Sequence, residues 1–406
     1  MKFCMVTTFY PPYHFGGDAT YVSRLVAALA RRGHQVDVIH DCDAYYLAHP
    51  GEPASTERPA DGVTVHALRS PFGRLSPLLT HQTGRPLLKP AVRKLLTEGA
   101  YDVIHFHNAS LIGIGALAYG DAVKLYTTHE HWLLCPLSVL WKYDREVCDQ
   151  RECVRCTLHA GRPPQWWRYG SYLSDQLNHV DHFIAPSRFT RDRHLAFGID
   201  RPFAILPHFV PLDPAPADVV QDHDRPYFLF VGRLTKVKGL QTVLPAFAGP
   251  DGPELLVAGE GEFEADLRTA AANLPRVRFL GAQTRDRLRP LYKHAIALIA
   301  PSICYEVFGL VLIEAFAEAT PVIARDLGGM SEVVEQSDGG LVFRTDEELV
   351  AALRSLQEDP YLRDRLGRNG FAAYLRFWSD EPHIAGYFEI IERARRERAA
   401  RAGRLR

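Results

Sequence analysis

The chain has 406 residues, 47% of them hydrophobic and 23% charged, with 47 basic against 48 acidic side chains for a net charge of −1. That length accommodates two separate cores, and the composition is that of an ordinary globular protein, which excludes a globally basic nucleic-acid binder. The apolar opening, residues 1–9, stops at "YPPYH", too short for a signal peptide, and no later run of about 18 uncharged apolar residues reads as a membrane span, so a cytoplasmic location is expected.

Strands and helices alternate along the chain. "KFCMVTTF" (2–9) reads as a buried strand, followed by the loop "YPPYHFGGDA" and the helix "TYVSRLVAALARRG", which Gly33 stops. "QVDVIHD", "VTVHAL", "YDVIHFHN", "VKLYTTHE" and "VDHFIAPS" read as further strands, the pattern of a parallel, doubly wound sheet. "FAILPHFVP" leads to "LDPAPADVVQDHDRP" (212–226), which has the composition of a linker.

The pattern then restarts with "YFLFVG" (227–232), a helix expected from Gly239, and the strands "ELLVAG", "VRFLG", "IALIAPS", "PVIARD" and "GLVFR". Three more helices close the chain, the last from about Pro382. The expected organisation is an α/β protein with two Rossmann-like domains, 1–211 and 212–380, and a terminal helix 381–406 that packs back on the first domain. Such a pair leaves a cleft between the carboxyl ends of two sheets. The ending "IERARRERAARAGRLR" reads as a solvated, fraying helix end, with weak binding to an anionic membrane surface as the minority alternative.

Several segments carry polar groups where chemistry is expected. Gly16 and Gly17 fall between the first strand and its helix, where a flexible turn or a phosphate-binding turn both fit, and neither they nor "GEGEFE" (259–264) complete a dinucleotide fingerprint. "GRLTKVKGL" (232–240) is not a Walker A loop, but Arg233 and Lys238 at a strand end suit a diphosphate. "YTTHEHW" (126–132) puts His129 at another strand end with Glu130 placed to orient its ring, and His107 is a better candidate than His105 in "HFHN".

"APSICYEVFGLVLIEAFAEATPVIA" (300–324) sets Glu306 before an almost wholly apolar helix and Glu314 inside it. A buried carboxylate needs donors, and none of the residues three or four positions from Glu314 is a cation. Glu306 reads either as an acid favoured by the helix dipole or, with Glu314, as a holder of ligand hydroxyls, the helix N-terminus at Phe308, Gly309 and Leu310 binding the anionic part.

Four cysteines, Cys135, Cys148, Cys153 and Cys156, crowd into a loop spanning 132–165. One structural zinc is expected there, because the terminal C-x2-C is a chelating pair; unligated thiols and an iron-sulfur cluster are the alternatives.

In order and spacing these segments resemble retaining GT-B glycosyltransferases of family 4. "EVFGLVLIE" matches the E-x7-E signature and "GRLTKVKG" the Gly-Arg-Leu…Lys-Gly element, while "FGG" (15–17), "TTHE" (127–130), "APS" (185–187) and "TPVIARDLGGMSEVV" (320–334) fall in sequence across nearly the whole chain. The resemblance implies transfer of a sugar from a nucleotide-diphosphate donor to a hydroxyl acceptor, with no catalytic metal. Glu306 would then hold donor-sugar hydroxyls, Glu314 the ribose, and the amides of Phe308, Gly309 and Leu310 the sugar and phosphate. Arg233 and Lys238 would neutralise the leaving diphosphate, with Gly17 close to it and His129 near the reacting sugar. The chain departs from the family at "PHFVP" (207–211), so no role passes to His208, and Glu130 stands where aspartate is common. A sugar-nucleotide epimerase or phosphorylase on the same fold, and a metal or redox protein built on the cysteines, are the rival readings.

Overall fold

The computed structural model describes residues 1–49, 51–53, 61–212, 223 and 225–404. Most of the segment read as a linker therefore lies outside the described residues. The chain divides into unit 1, residues 1–138, 150–206 and 384–406, and unit 2, residues 139–149 and 207–383. Two short segments thus join a unit away from their neighbours in sequence. Residues 139–149 join unit 2, and 384–406 return to unit 1.

In chain order the strands of the first half are β1 (Lys2–Thr7), β2 (Gln35–Asp41), β3 (Val63–Leu68), β4 (Val103–Asn108), β5 (Val123–Thr127), β6 (Trp141–Lys142), β7 (Glu146–Val147), β8 (His182–Ala185) and β9 (Phe203–Ile205). All but β6 and β7 form one parallel sheet of order β3-β2-β1-β4-β5-β8-β9. Phe3, Cys4, Met5 and Val6 of β1 are all buried, because a central parallel strand is covered on both faces. The ribbon of β6 and β7 is antiparallel and belongs to unit 2.

The second half supplies β10 (Tyr227–Val231), β11 (Glu254–Ala258), β12 (Val277–Gly281), β13 (Leu298–Ala300), β14 (Val322–Arg325) and β15 (Gly340–Phe343), in the order β12-β11-β10-β13-β14-β15, again all parallel. Alternation along β10 sends Phe228 and Phe230 into one apolar cluster and Tyr227 and Leu229 into another, so this sheet too is covered on both faces. In each sheet the chain winds outward from a central strand and returns on its other side. The loops after β1 and β4, and after β10 and β13, therefore part company, and each unit has its own crevice at a topological switch point.

Three expectations need correction. The helix foreseen from Gly239 is a run of 3-10 turns, Lys236–Lys238, Leu240–Thr242 and Leu244–Phe247, because Gly239 takes the left-handed conformation (φ 73°) and Pro245 has no N–H to give. The cysteine-bearing segment is partly regular, containing the β6–β7 ribbon, the helix Cys153–His159 and a 3-10 turn at Trp166–Arg168.

The third correction concerns the terminal helix, Asp380–Arg404, which begins slightly earlier than expected, and whose basic end is docked. Tyr387 Oη lies 2.9 Å from His105 Nδ1, Arg398 pairs with Asp121 and lies 3.3 Å from Asp181, and Arg401 lies 3.3 Å from Asp181. No helix among the described residues is long and apolar enough to cross a membrane.

Burial also shapes the response to acid. Desolvation holds His40 and His194 down at about 4 and His383 at about 3, against an ordinary 6.5, although the Thr190 and Pro207 carbonyls oppose it at the last two. Between those values and 6.5 the unfolded chain binds more protons than the native one, so stability is present above pH 6.5 and lost as pH falls toward 4. Each ring contributes on the order of a few kcal/mol. Urea midpoints at pH 7.5, 6, 5 and 4 should fall steadily below pH 6.5; a flat profile down to pH 4.5 would contradict these buried neutral rings.

Candidate active site

Unit 2 builds its polar cluster from the loops after β10 and β13. Arg233 is exposed at the end of β10. The turn Lys236–Lys238 is closed by Gly239, where a Cβ would fall 2.1 Å from the Pro301 carbonyl oxygen, so only glycine permits the approach. Ile303 N donates to Val237 O at 2.9 Å, and the two loops are locked together.

That contact delivers Lys238 to Glu306. Lys238 Nζ donates to Glu306 Oε1 at 2.6 Å, and Ser302 Oγ donates to the same oxygen at 2.7 Å. Burial works to lower the Lys238 pKa, but the Glu306 carboxylate outweighs it and the ammonium is held above its ordinary value, with the nearby Arg233 charge slightly opposing. The nearby Cys304 thiol is pushed up to about 12, by burial first and by Glu306 second, so it stays protonated at neutral pH.

The backbone of Glu306 is fixed as well. It bridges to Gly328, and Gly329 N donates to Glu306 O at 2.7 Å. A Cβ on Gly328 would sit 2.7 Å from that oxygen and one on Gly329 2.4 Å from the Val307 oxygen. The helix Leu310–Ala317 follows Gly309 (φ 115°) and the helix Gly329–Ser337 follows Gly328 (φ 72°), and neither start carries a side-chain cap. Two helix N-termini thus follow adjacent strands β13 and β14, each with positive backbone potential.

Glu314 differs from expectation. It is half-buried, on the same helix face as the half-buried Leu310 and Val311, while Leu312, Ile313, Ala315 and Phe316 fill the core. A donor the sequence did not reveal serves it: Tyr292 Oη at 3.1 Å from Oε2. The Phe308 ring is core, edge-on to His208 (5.3 Å between centroids) and to Trp378 (6.4 Å), so only its backbone is available to a ligand. Ser302 and Tyr292 were missed because nothing local marks them.

Unit 1 carries its own groups at the β1–β4 switch point. Gly16 (φ 95°) and Gly17 are exposed at the uncapped start of the helix Gly17–Arg31, and Asn108 Nδ2 at the end of β4 donates to Asp18 Oδ2 in its first turn at 3.1 Å. His129 is buried, with Nε2 2.9 Å from His107 Nδ1, the two rings stacked at 5.2 Å and Tyr21 4.8 Å away. His107 is thus a partner that orients the His129 ring at Nε2. His105 is tied to Tyr387 and, at 2.8 Å, to Thr127 Oγ1.

Cys4, Cys42, Cys153, Cys156 and Cys304 are free thiols. Cys135, Cys153 and Cys156 belong to unit 1 and Cys148 to unit 2. Among the described residues no group of three or more His, Cys, Asp or Glu side chains is disposed to hold a metal ion.

Two family models adjoin along the chain: Glycosyltransferase Family 4 matches residues 15–214 and Glycosyl transferases group 1 matches residues 214–373. Glycogen synthase of Mycobacterium tuberculosis is 27% identical over 94% of this chain and 91% of its own. Among solved structures, sucrose-phosphate synthase from Thermosynechococcus elongatus superposes with a TM-score of 0.75 at 22% identity, covering 97% of this chain and 98% of that one. Anabaena HepE in complex with UDP and glucose does so at 0.68 and 18%, covering 97% and 98%. These structures share the two-domain GT-B fold.

Proposed function

Because the chain belongs to the family 4, group 1 glycosyltransferases, and is therefore a transferase enzyme, we propose that it moves a glycosyl group from a nucleotide-diphosphate sugar to a hydroxyl acceptor with retention at the anomeric carbon. The observation that carries this reading is the unit 2 cluster: a cation, a carboxylate and an uncapped helix N-terminus converging on one switch point. The structural neighbour HepE is in complex with UDP and glucose, which supports a nucleotide-sugar donor.

Glycosyl transfer needs charge stabilisation on the departing diphosphate more than it needs a strong base. Lys238, Arg233 and the amides at Gly309 and Leu310 supply positive potential where that charge grows. Glu306, held rigidly at one oxygen by Lys238 and Ser302, accepts hydrogen bonds from donor-sugar hydroxyls. Glu314 accepts those of the ribose, with Tyr292 fixing its rotamer. In unit 1 the motif match assigns Gly16 and Gly17 to phosphate contact and His129 to the reacting sugar. Retention then follows if the acceptor proton passes to the leaving phosphate oxygen on the same face, with no protein nucleophile.

The test is a calorimetric scan of UDP-, GDP-, ADP- and TDP-sugars, followed by NMR of the product anomer. Binding of one class and nucleotide release only in the presence of an acceptor alcohol are expected. An inverted product, or release without acceptor, would overturn the reading.

A further inference from the structure

Within unit 1, lined by none of the residues assigned to the donor, lies a cavity of about 740 Å³, in the size range of small-molecule sites. Leu133, Cys153, Arg168, Leu173, Leu177 and Phe197 are among its walls. Four arginines line it, Arg151, Arg155, Arg168 and Arg201, against two acids, Glu152 and Asp200.

Arg168 is the unusual member. Its guanidinium packs against two indoles, 4.8 Å from the Trp132 ring centroid and 4.6 Å from that of Trp167. Nε donates to Gln165 Oε1 and Nη1 to Leu133 O at 3.3 Å. Nη2 is shielded from solvent and has no hydrogen-bond partner among the described residues. A shielded N–H donor left unpaired on a cation costs free energy, and burial accordingly pulls this guanidinium down to about 10 although Cys135, Tyr126, Cys153 and Glu130 oppose it. Such a group is completed by an anion that brings its own acceptors.

The rest of the wall says what else the ligand carries. Leu173, Leu177 and Phe197 form an apolar side, and Arg151, which donates to Phe197 O and lies 4.9 Å over its ring, adds a second cation beside it. We propose that this cavity binds an amphiphilic anion, its phosphate or carboxylate head meeting Arg168 Nη2 and its hydrocarbon part lying on Leu173, Leu177 and Phe197.

The site needs no part of the donor machinery, so its test is separate. Decyl phosphate, decanoate, inorganic phosphate and decanol are titrated into the full-length protein below their aggregation limits, read by calorimetry and by fluorescence of the tryptophans that flank Arg168. Decyl phosphate or decanoate should bind saturably, at least about tenfold more tightly than inorganic phosphate or decanol, since only they satisfy both halves of the cavity; the better of the two identifies the head group. Arg168→Met keeps a hydrocarbon against the indoles and removes the charge, while Leu173→Trp fills the cavity and keeps it. Each should weaken that binding at least about tenfold and leave nucleotide binding unchanged. Failure of both anions to bind the wild-type protein, or unaltered binding by the Leu173→Trp variant, would overturn the proposal.

Discussion

Lys89→Met is expected to destabilise unit 1 by about 3–5 kcal/mol, because it strands a buried carboxylate. Lys89 Nζ lies 3.1 Å from Asp41 Oδ2, with both side chains almost wholly buried. Nζ also donates to Thr80 Oγ1 and to Leu111 O, each at 2.9 Å. Asp41 in turn caps the helix Cys42–Ala48 through its other oxygen, from Asp43 N at 3.0 Å and Ala44 N at 3.3 Å. Burial pushes the Asp41 carboxyl up and the Lys89 ammonium down, each partly restored by the other. Without the ammonium the carboxyl rises further. The deficit in the variant should therefore be largest at neutral pH and shrink in mild acid, where Asp41 takes up a proton. Adding Asp41→Asn keeps the cap and removes the orphan charge, and should recover part of the loss. Urea unfolding of the wild type, the single variant and the double variant measures this. A single variant within about 1 kcal/mol of wild type would mean that the pair is solvated or replaceable.

Lys238→Ala is expected to lower kcat by about 10²–10³-fold, the loss of one preorganised charge from a transition state. Donor affinity should fall less, because the leaving diphosphate is more negative than the bound one. Ser302→Ala removes a single neutral donor to the same Glu306 oxygen and should cost only about 1 kcal/mol. The contrast between the two separates charge stabilisation from mere support of Glu306. Steady-state kinetics with the donor class found by the binding scan gives both constants. Lys238→Ala turnover within about threefold of wild type would remove this lysine from catalysis and return the Lys238–Glu306 pair to a structural role.

The sequence alone determined the sheets and the places where polar groups could gather. Apolar runs such as "KFCMV" and "YFLFV" have no strictly polar face, so they had to become central parallel strands covered on both sides. Parallel strands require crossovers, crossovers produce switch points, and "KG" at 238–239 and "GG" at 16–17 and 328–329 mark loops where backbone must come close or turn with positive φ. Local pattern misjudged the segment after Gly239, where Pro245 and a left-handed glycine break the helix that the apolar spacing suggested.

The tertiary structure decided what no local pattern encodes. Glu314 looked like an unpartnered core carboxylate; its helix is shorter and more open on that face, and Tyr292, 22 residues away, serves it. His129 finds His107 across adjacent strands β4 and β5, and Lys238 finds Glu306 from 68 residues away. For the terminal helix the sequence suggested the partner domain but not the contacts: Tyr387 and Arg398 meet partners that precede them by more than 200 residues. In each case the deciding free energy comes from pairing charged or polar groups that burial would otherwise leave unsatisfied, and that pairing is set by which strand ends the topology brings side by side.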